Sequence, residues 1–274
     1  PDVSPTRWHL AHTTWFFETF VLKTASRSYD TYDTAYEVLF NSYYNTVGEQ
    51  FPRSRRGLLS RPTVAEVFSY RQHVDTCLHE FLDQADDERD AELLCVVELG
   101  LHHEQQHQEL MLTDIKHVLS CNPLYPVYDA VTGDRNAEHE VEISTDCWHA
   151  YDEQLAEIGH AGNSFAFDNE SPRHKVFLHD FELADRLVTN GEYLQFIVDG
   201  GYQSPKPWLA AGWDAVQQEK WTAPLYWVQR DGEWMQFTLA GLQPVDLSEP
   251  VCHVSYFEAD AFARWANRRL PTEA

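Results

Sequence analysis

Apolar side chains at Leu110, Leu112, Ile115, Val118 and Leu119 recur at helical spacing, and no Pro or Gly interrupts the chain between Leu101 and Cys121. This pattern predicts a long helix beginning near Asp90. A second helical pattern runs over residues 63–84, with Val64, Val67, Phe68, Val74, Leu78, Phe81 and Leu82 as its apolar set and a break at Ala85-Asp86-Asp87. A third lies near the start. Trp8, Leu10, Ala11, Trp15, Phe16, Phe17 and Phe20 exceed what one stripe requires, with Ser4 expected as N-cap and Pro5 at the first helical position. Between the first two of these in chain order, residues 27–62 read as a long connection. Together they predict a helical N-terminal domain over residues 1–121, a four-helix bundle.

Asn122-Pro123 and Pro126 end the helical region. Residues 122–150 are acidic and irregular and read as a linker. Beyond Trp148 the periodicity weakens and Gly, Pro and Trp become frequent. Residues 174–184 alternate like a strand, and residues 190–198 and 255–269 read as short helices. The second domain, 151–274, is expected to be α+β with much irregular structure, so the whole chain is α+β in two domains.

Composition narrows the function classes. With 44 acidic and 20 basic residues the formal net charge is −24, which argues against nucleic-acid or anionic-membrane partners. No run of ~18 apolar residues predicts a membrane span. The start, PDVSPTRWHLAH, lacks the basic and apolar regions of a signal peptide. Cys77, Cys95, Cys121, Cys147 and Cys252 form no CxxC pair and are odd in number, which predicts reduced thiols in a cytoplasmic protein. The absence of an initiating Met, and a stop at RLPTEA directly after a helical pattern, predict that part of the second domain is missing at the C-terminal end. Whether the chain is monomeric or a homo-oligomer is left open.

The chemistry concentrates in LHHEQQHQEL, residues 101–110. His103 and His107 lie four apart, on one helix face, where two imidazoles can share an ion. The stretch also spells H-E-x-x-H, with Glu104 in the general-base position of a zinc protease. The Gly and third His of the extended form are absent, since Leu110 and Thr113 stand there. A third ligand is expected upstream, at His12 among bulky aromatics, while a more distant carboxylate stays open. Glu104 or Glu109 would hold the outer nitrogens of the ligand rings. Arg53, Arg55, Arg56 and Arg61 crowd into nine positions and read either as a solvated loop or as a carboxylate clamp.

WHLAH (8–12), the pattern of His103, His107 and Glu109, FDNESPRH (167–174), VTNGEYLQFIVDGGY (188–202), PVCHVSYFEADAFARWA (250–266) and RLPTEA (269–274) resemble, in combination and order, the sulfoxide synthases of ergothioneine biosynthesis, also called hercynine oxygenases. That resemblance implies a DinB-like four-helix domain joined to a C-type-lectin-like domain of the formylglycine-generating-enzyme type. It implies a mononuclear non-haem Fe(II) held by His12, His103 and His107, with Gln106 helping to hold hercynine. NSYY followed by PRSRRGLLSRP is similar to the branch of the family with active-site tyrosines in the first domain. Tyr43 and Tyr44 would be those tyrosines, Arg53 the binder of the thiol substrate's carboxylate, and Arg56 a second such arginine. The implied reaction joins hercynine to cysteine or γ-glutamylcysteine with O2. A metal-dependent thiol transferase of DinB type is the alternative that explains the first domain as well.

Overall fold

The computed structural model describes residues 3–130 and 148–274. The chain divides into two units, residues 1–121 and 122–274. Residues 131–147, which hold most of the expected linker and Cys147, lie outside the described residues.

The first unit is helical. Helix α1 (Thr6–Phe17) continues through a π-helical turn (Glu18–Leu22) into a short α2 (Lys23–Ala25). A long connection follows, carrying only α3 (Tyr36–Leu39) and a 3-10 stretch (Arg53–Leu58) before α4 (Val64–Gln84) and α5 (Ala91–Ser120). Three long helices and this connection therefore make the unit. The start of α4 is set by a capping box, in which the Thr63 side chain accepts from Glu66 N–H and the Glu66 carboxylate accepts from Thr63 N–H. Residue Ser4, expected as an N-cap, makes no such bond, and Pro5 occupies the cap position. The Ser4 N–H instead donates to Asp114 Oδ2 on α5 at 2.9 Å, tying the start of α1 to its neighbour.

Helix α1 is buried on nearly every side, as its surplus of aromatics requires: Trp8, Ala11, Trp15, Phe16 and Phe17 form the core with Val67, Tyr70 and Val74 of α4. Gly100 lets α5 approach α1 closely, since a methyl group there would run into the rings of Phe17 and Phe16. The contact sets the height at which the histidines of α5, one and two turns further on, meet α1.

In the second unit, strands β1 (Trp148–Tyr151) and β4 (Phe181–Ala184) pair antiparallel, as do β2 (Gln154–Ile158) and β3 (His174–Leu178). The single strand expected over residues 174–184 is thus two, divided at His179-Asp180, each pairing with a different partner. Helices α6 (Asn190–Val198), α7 (Ala210–Glu219) and α8 (Tyr256–Trp265) enclose a core of Tyr193, Phe196, Tyr202, Trp208, Val216 and Ala261. The α6 range matches the sequence expectation, while α8 stops four residues short of it. Strands β5 (Trp227–Arg230), β6 (Glu233–Thr238) and β7 (Gly241–Pro244) form an antiparallel meander, onto which residues 122–130 of the expected linker fold through Tyr128 N–H donating to Leu239 C=O. Trp208 and Trp227 are buried packing residues, and the Trp208 indole donates to Gly201 C=O. Among the described residues the four cysteines are free, and no helix is long and apolar enough to cross a membrane.

Candidate metal centre

The spacing of four on α5 puts His103 and His107 on the side that faces α1, and α1 brings His12 to meet them. The ring centroids of His12 and His103 are 5.0 Å apart, those of His12 and His107 4.8 Å, and those of His103 and His107 4.6 Å. One ring nitrogen from each lies within 4.8 Å of the others. All three side chains are buried. Trp8 stacks on His12 at 4.7 Å, Trp15 lies against it at 5.6 Å, and Phe16 lies against His103 at 4.9 Å.

The hydrogen bonds fix which nitrogens are available. His12 Nδ1 stands 2.6 Å from the carbonyl oxygen of Phe40, so that nitrogen must carry the proton and donate, leaving Nε2 bare. His107 Nδ1 is 2.8 Å from His9 Nδ1. His103 Nδ1 is buried with no hydrogen-bond partner. Bare nitrogens turned toward one another, together with an orphaned buried nitrogen, are what a divalent cation would satisfy. The donor set alone suits zinc as well as iron.

Burial lowers the pKa of His12 to about 2 and of His107 to about 3, and lowers His9 and His103 below the ordinary value of 6.5. For His12 and His107, neighbouring imidazoles add to the effect. The rings are therefore neutral where coordination needs them neutral. Because the folded values lie below the unfolded value, the unfolded chain binds more protons in the window between them. The stability is fully present above pH ~6.5 and is lost as the pH falls toward the folded values, by up to ~1.4 kcal/mol per pH unit for each ring. We expect the urea midpoint of the metal-free protein to fall between pH 7 and pH 5, and to fall less steeply in a His12→Gln variant. A flat profile in both proteins would contradict the assignment of four buried neutral rings.

The other residues of interest are placed as follows. Glu104 is held by Arg71 of α4, and Glu109 is exposed. Neither reaches the outer nitrogen of one of the three rings; the groups that do are the Phe40 carbonyl, at His12, and the His9 ring, at His107. No sequence pattern marks a backbone carbonyl, but His9 was visible as the first histidine of WHLAH. Gln106 is exposed on α5, one residue before His107. Tyr43 is 65% exposed and stacks on Tyr44 at 4.6 Å, with their hydroxyls 3.5 Å apart. Tyr44 is half-buried against Trp15, Phe16 and Phe20, one ring layer from the triad, and burial pushes its phenol pKa up.

Arg53 is exposed at the head of the 3-10 stretch. Arg56 is buried, with its guanidinium carbon 3.5 Å from the centre of the Trp8 ring that stacks on His12. It donates to the hydroxyls of Ser4 and Ser42, while its Nε–H has no partner. Burial, then the charge of Arg53, lowers its pKa to about 10. A buried cation with one spare donor, whose hydrogen bonds go to neutral hydroxyls and whose nearby negative charge is Asp114, is suited to an anion.

Residues 1–111 match the family model of the DinB superfamily, and residues 147–274 match that of the sulfatase-modifying factor enzyme 1-like domain. The whole chain aligns with a hercynine oxygenase of Mycobacterium tuberculosis at 30% identity over 275 residues, covering 61% of that protein. It aligns with one of Mycolicibacterium thermoresistibile at 31% over 274 residues, covering 58%. A hercynine oxygenase of Mycolicibacterium smegmatis is 42% identical over 108 residues, which is 39% of this chain and 24% of that protein. The chain thus spans about three fifths of the length of the full-chain relatives.

Proposed function

From the chain's similarity to hercynine oxygenases, and its match to the DinB superfamily followed by a sulfatase-modifying-factor-type domain, we propose that it is a non-haem iron oxygenase of ergothioneine biosynthesis. It joins hercynine to a thiol, cysteine or γ-glutamylcysteine, as a sulfoxide. The observation that carries the reading is the buried convergence of His12, His103 and His107. The hercynine C–H and thiol S–H bonds break and C–S and S–O bonds form. Dioxygen takes four electrons, leaving one oxygen on sulfur and the other in water.

His12, His103 and His107 would hold a ferrous ion, which when bound would supply the reduction of dioxygen. The residues around it bind, orient and protonate. Three neutral imidazoles with no carboxylate among the ligands leave the metal's charge undiminished, which favours an anionic thiolate. Arg53 takes the thiol's carboxylate and Arg56, with its spare Nε–H, seconds it. Gln106 holds hercynine. Tyr44, its phenol kept protonated by burial, or Tyr43 stacked on it, delivers a proton from its hydroxyl. Trp8, Trp15 and Phe16 keep bulk water from the rings. The free thiols favour a reducing compartment, the cytoplasm.

Incubation of the ferrous protein with hercynine and each thiol in air is expected to yield a product heavier than the two substrates by one oxygen less two hydrogens. The added oxygen should be labelled by 18O2. Absence of such a product with either thiol contradicts the proposal, and equal turnover under argon moves the assignment to an oxygen-independent thiol transferase.

A further inference from the structure

His9 and Asp114 have no part in the reaction proposed above, yet they are aligned with one of the three histidines. His9 precedes His12 by three residues on α1, and Asp114 follows His107 by seven on α5, so each lies on the same helix face as a metal ligand. His9 Nε2 is 3.1 Å from Asp114 Oδ2, and His9 Nδ1 is 2.8 Å from His107 Nδ1. His9 is 3% exposed, and Asp114 Oδ2 is fixed by a second donor, the Ser4 N–H at 2.9 Å. We propose that Asp114 and His9 form a proton-ordering relay that sets the tautomer and direction of His107 and so determines how tightly the centre holds its metal. The inference rests on the metal centre proposed above.

The order of the protons follows from the groups at the two ends. Asp114 Oδ2 accepts, so His9 Nε2 carries the hydrogen. In a neutral imidazole His9 Nδ1 is then a bare acceptor. It accepts from His107 Nδ1–H, and His107 Nε2 is left bare for the ion. The reverse order puts the lone pair of His9 Nε2 against a carboxylate oxygen and places a proton on His107 Nε2, where it blocks coordination. A carboxylate acting through one ring to orient a ligand is a familiar arrangement at metal sites. Here a second imidazole is inserted between them. His12 needs no such relay, because the Phe40 carbonyl performs that task alone.

His9 and Asp114 are positioning residues, and the test reads metal affinity and tautomer rather than turnover. Zn2+ dissociation constants are measured by chelator competition, with the unfolding midpoint of each metal-free variant as the control for folding. His9→Phe keeps a ring in place but removes the acceptor, and Asp114→Leu removes the carboxylate. Each is expected to weaken Zn2+ binding about 10–100-fold. Asp114→Asn keeps an oxygen for both Ser4 N–H and His9 Nε2–H and is expected to stay within about threefold of the unmodified protein. Long-range 15N–1H correlation on the unmodified zinc protein should find His9 with its proton on Nε2 and His107 with its proton on Nδ1. This measurement needs no variant to fold. If His9→Phe and Asp114→Leu bind Zn2+ as tightly as the unmodified protein, or if His9 carries its proton on Nδ1, the relay is overturned while the centre stands. If the unmodified protein binds no Zn2+, the centre and the relay both fall.

Discussion

His12→Ala is expected to abolish both metal retention and turnover. The residue is 1% exposed, and its ring lies 5.0 Å and 4.8 Å, centre to centre, from the two histidines of α5. With His12 gone, His103 and His107 remain as two ligands on one helix, a number that seldom holds a divalent ion against chelators. The vacated volume is lined by Trp8 and Trp15 and offers no replacement donor. Iron content after dialysis should fall from about one per chain to near zero, and sulfoxide formation should fall to background. Loss of the ring also deprives the Phe40 carbonyl of its donor, so the fold is checked separately by unfolding of the metal-free protein. A variant that keeps its iron and its activity would remove His12 from the site.

Glu18→Leu is expected to cost the first unit the most stability of any single change considered. Glu18 is fully buried at the start of the π-helical turn. Its Oε1 accepts from the Tyr29 hydroxyl at 3.0 Å and from Tyr32 N–H at 2.9 Å, and its Oε2 accepts from the Tyr70 hydroxyl at 2.5 Å. One side chain therefore fastens α1, the connection after it and α4. Burial, and next the charge of Glu18, pushes the phenols of Tyr29 and Tyr70 up, so both stay protonated and able to donate. Leucine fills the space but leaves the buried Tyr70 hydroxyl and the part-buried Tyr29 hydroxyl and Tyr32 N–H without this acceptor, at about 1–3 kcal/mol for a fully buried donor and less for the other two, so a loss of roughly 3 kcal/mol is expected in urea unfolding. Glu18→Gln retains a carbonyl acceptor and should lose less than half as much. A leucine variant within ~1 kcal/mol of the unmodified protein would show that water reaches these donors.

Helices α4 and α5 were legible because their order is local: apolar spacing, and breaks at Asp86 and Pro123, while the capping box at Thr63 and Glu66 was a further local signal that went unread. The pairing of His103 with His107 was equally local. The pairing with His12 was not, since nothing along the chain says which turn of α1 faces α5. His9 and His12 are three apart and both face it, the first against His107 and the second between His103 and His107. The Phe40 carbonyl that orients His12 is backbone and leaves no mark in the sequence. Glu104 and Glu109 are adjacent in sequence to the ligands but turn elsewhere, one to Arg71 and one to solvent.

In the second unit a readable signal went unused. Asp231-Gly232, both at positive φ, is a two-residue hairpin turn between β5 and β6. The division of residues 174–184 into two strands depends on partners distant in sequence, β1 and β2, and could not be read from alternation alone.

The most direct test of the centre is crystallographic. Crystals grown metal-free and soaked with ferrous iron under argon, measured on both sides of the iron absorption edge, should give one anomalous peak per chain within coordination distance of His12, His103 and His107. No peak there, or a peak held by other residues while those three rings stay unligated, would contradict the account.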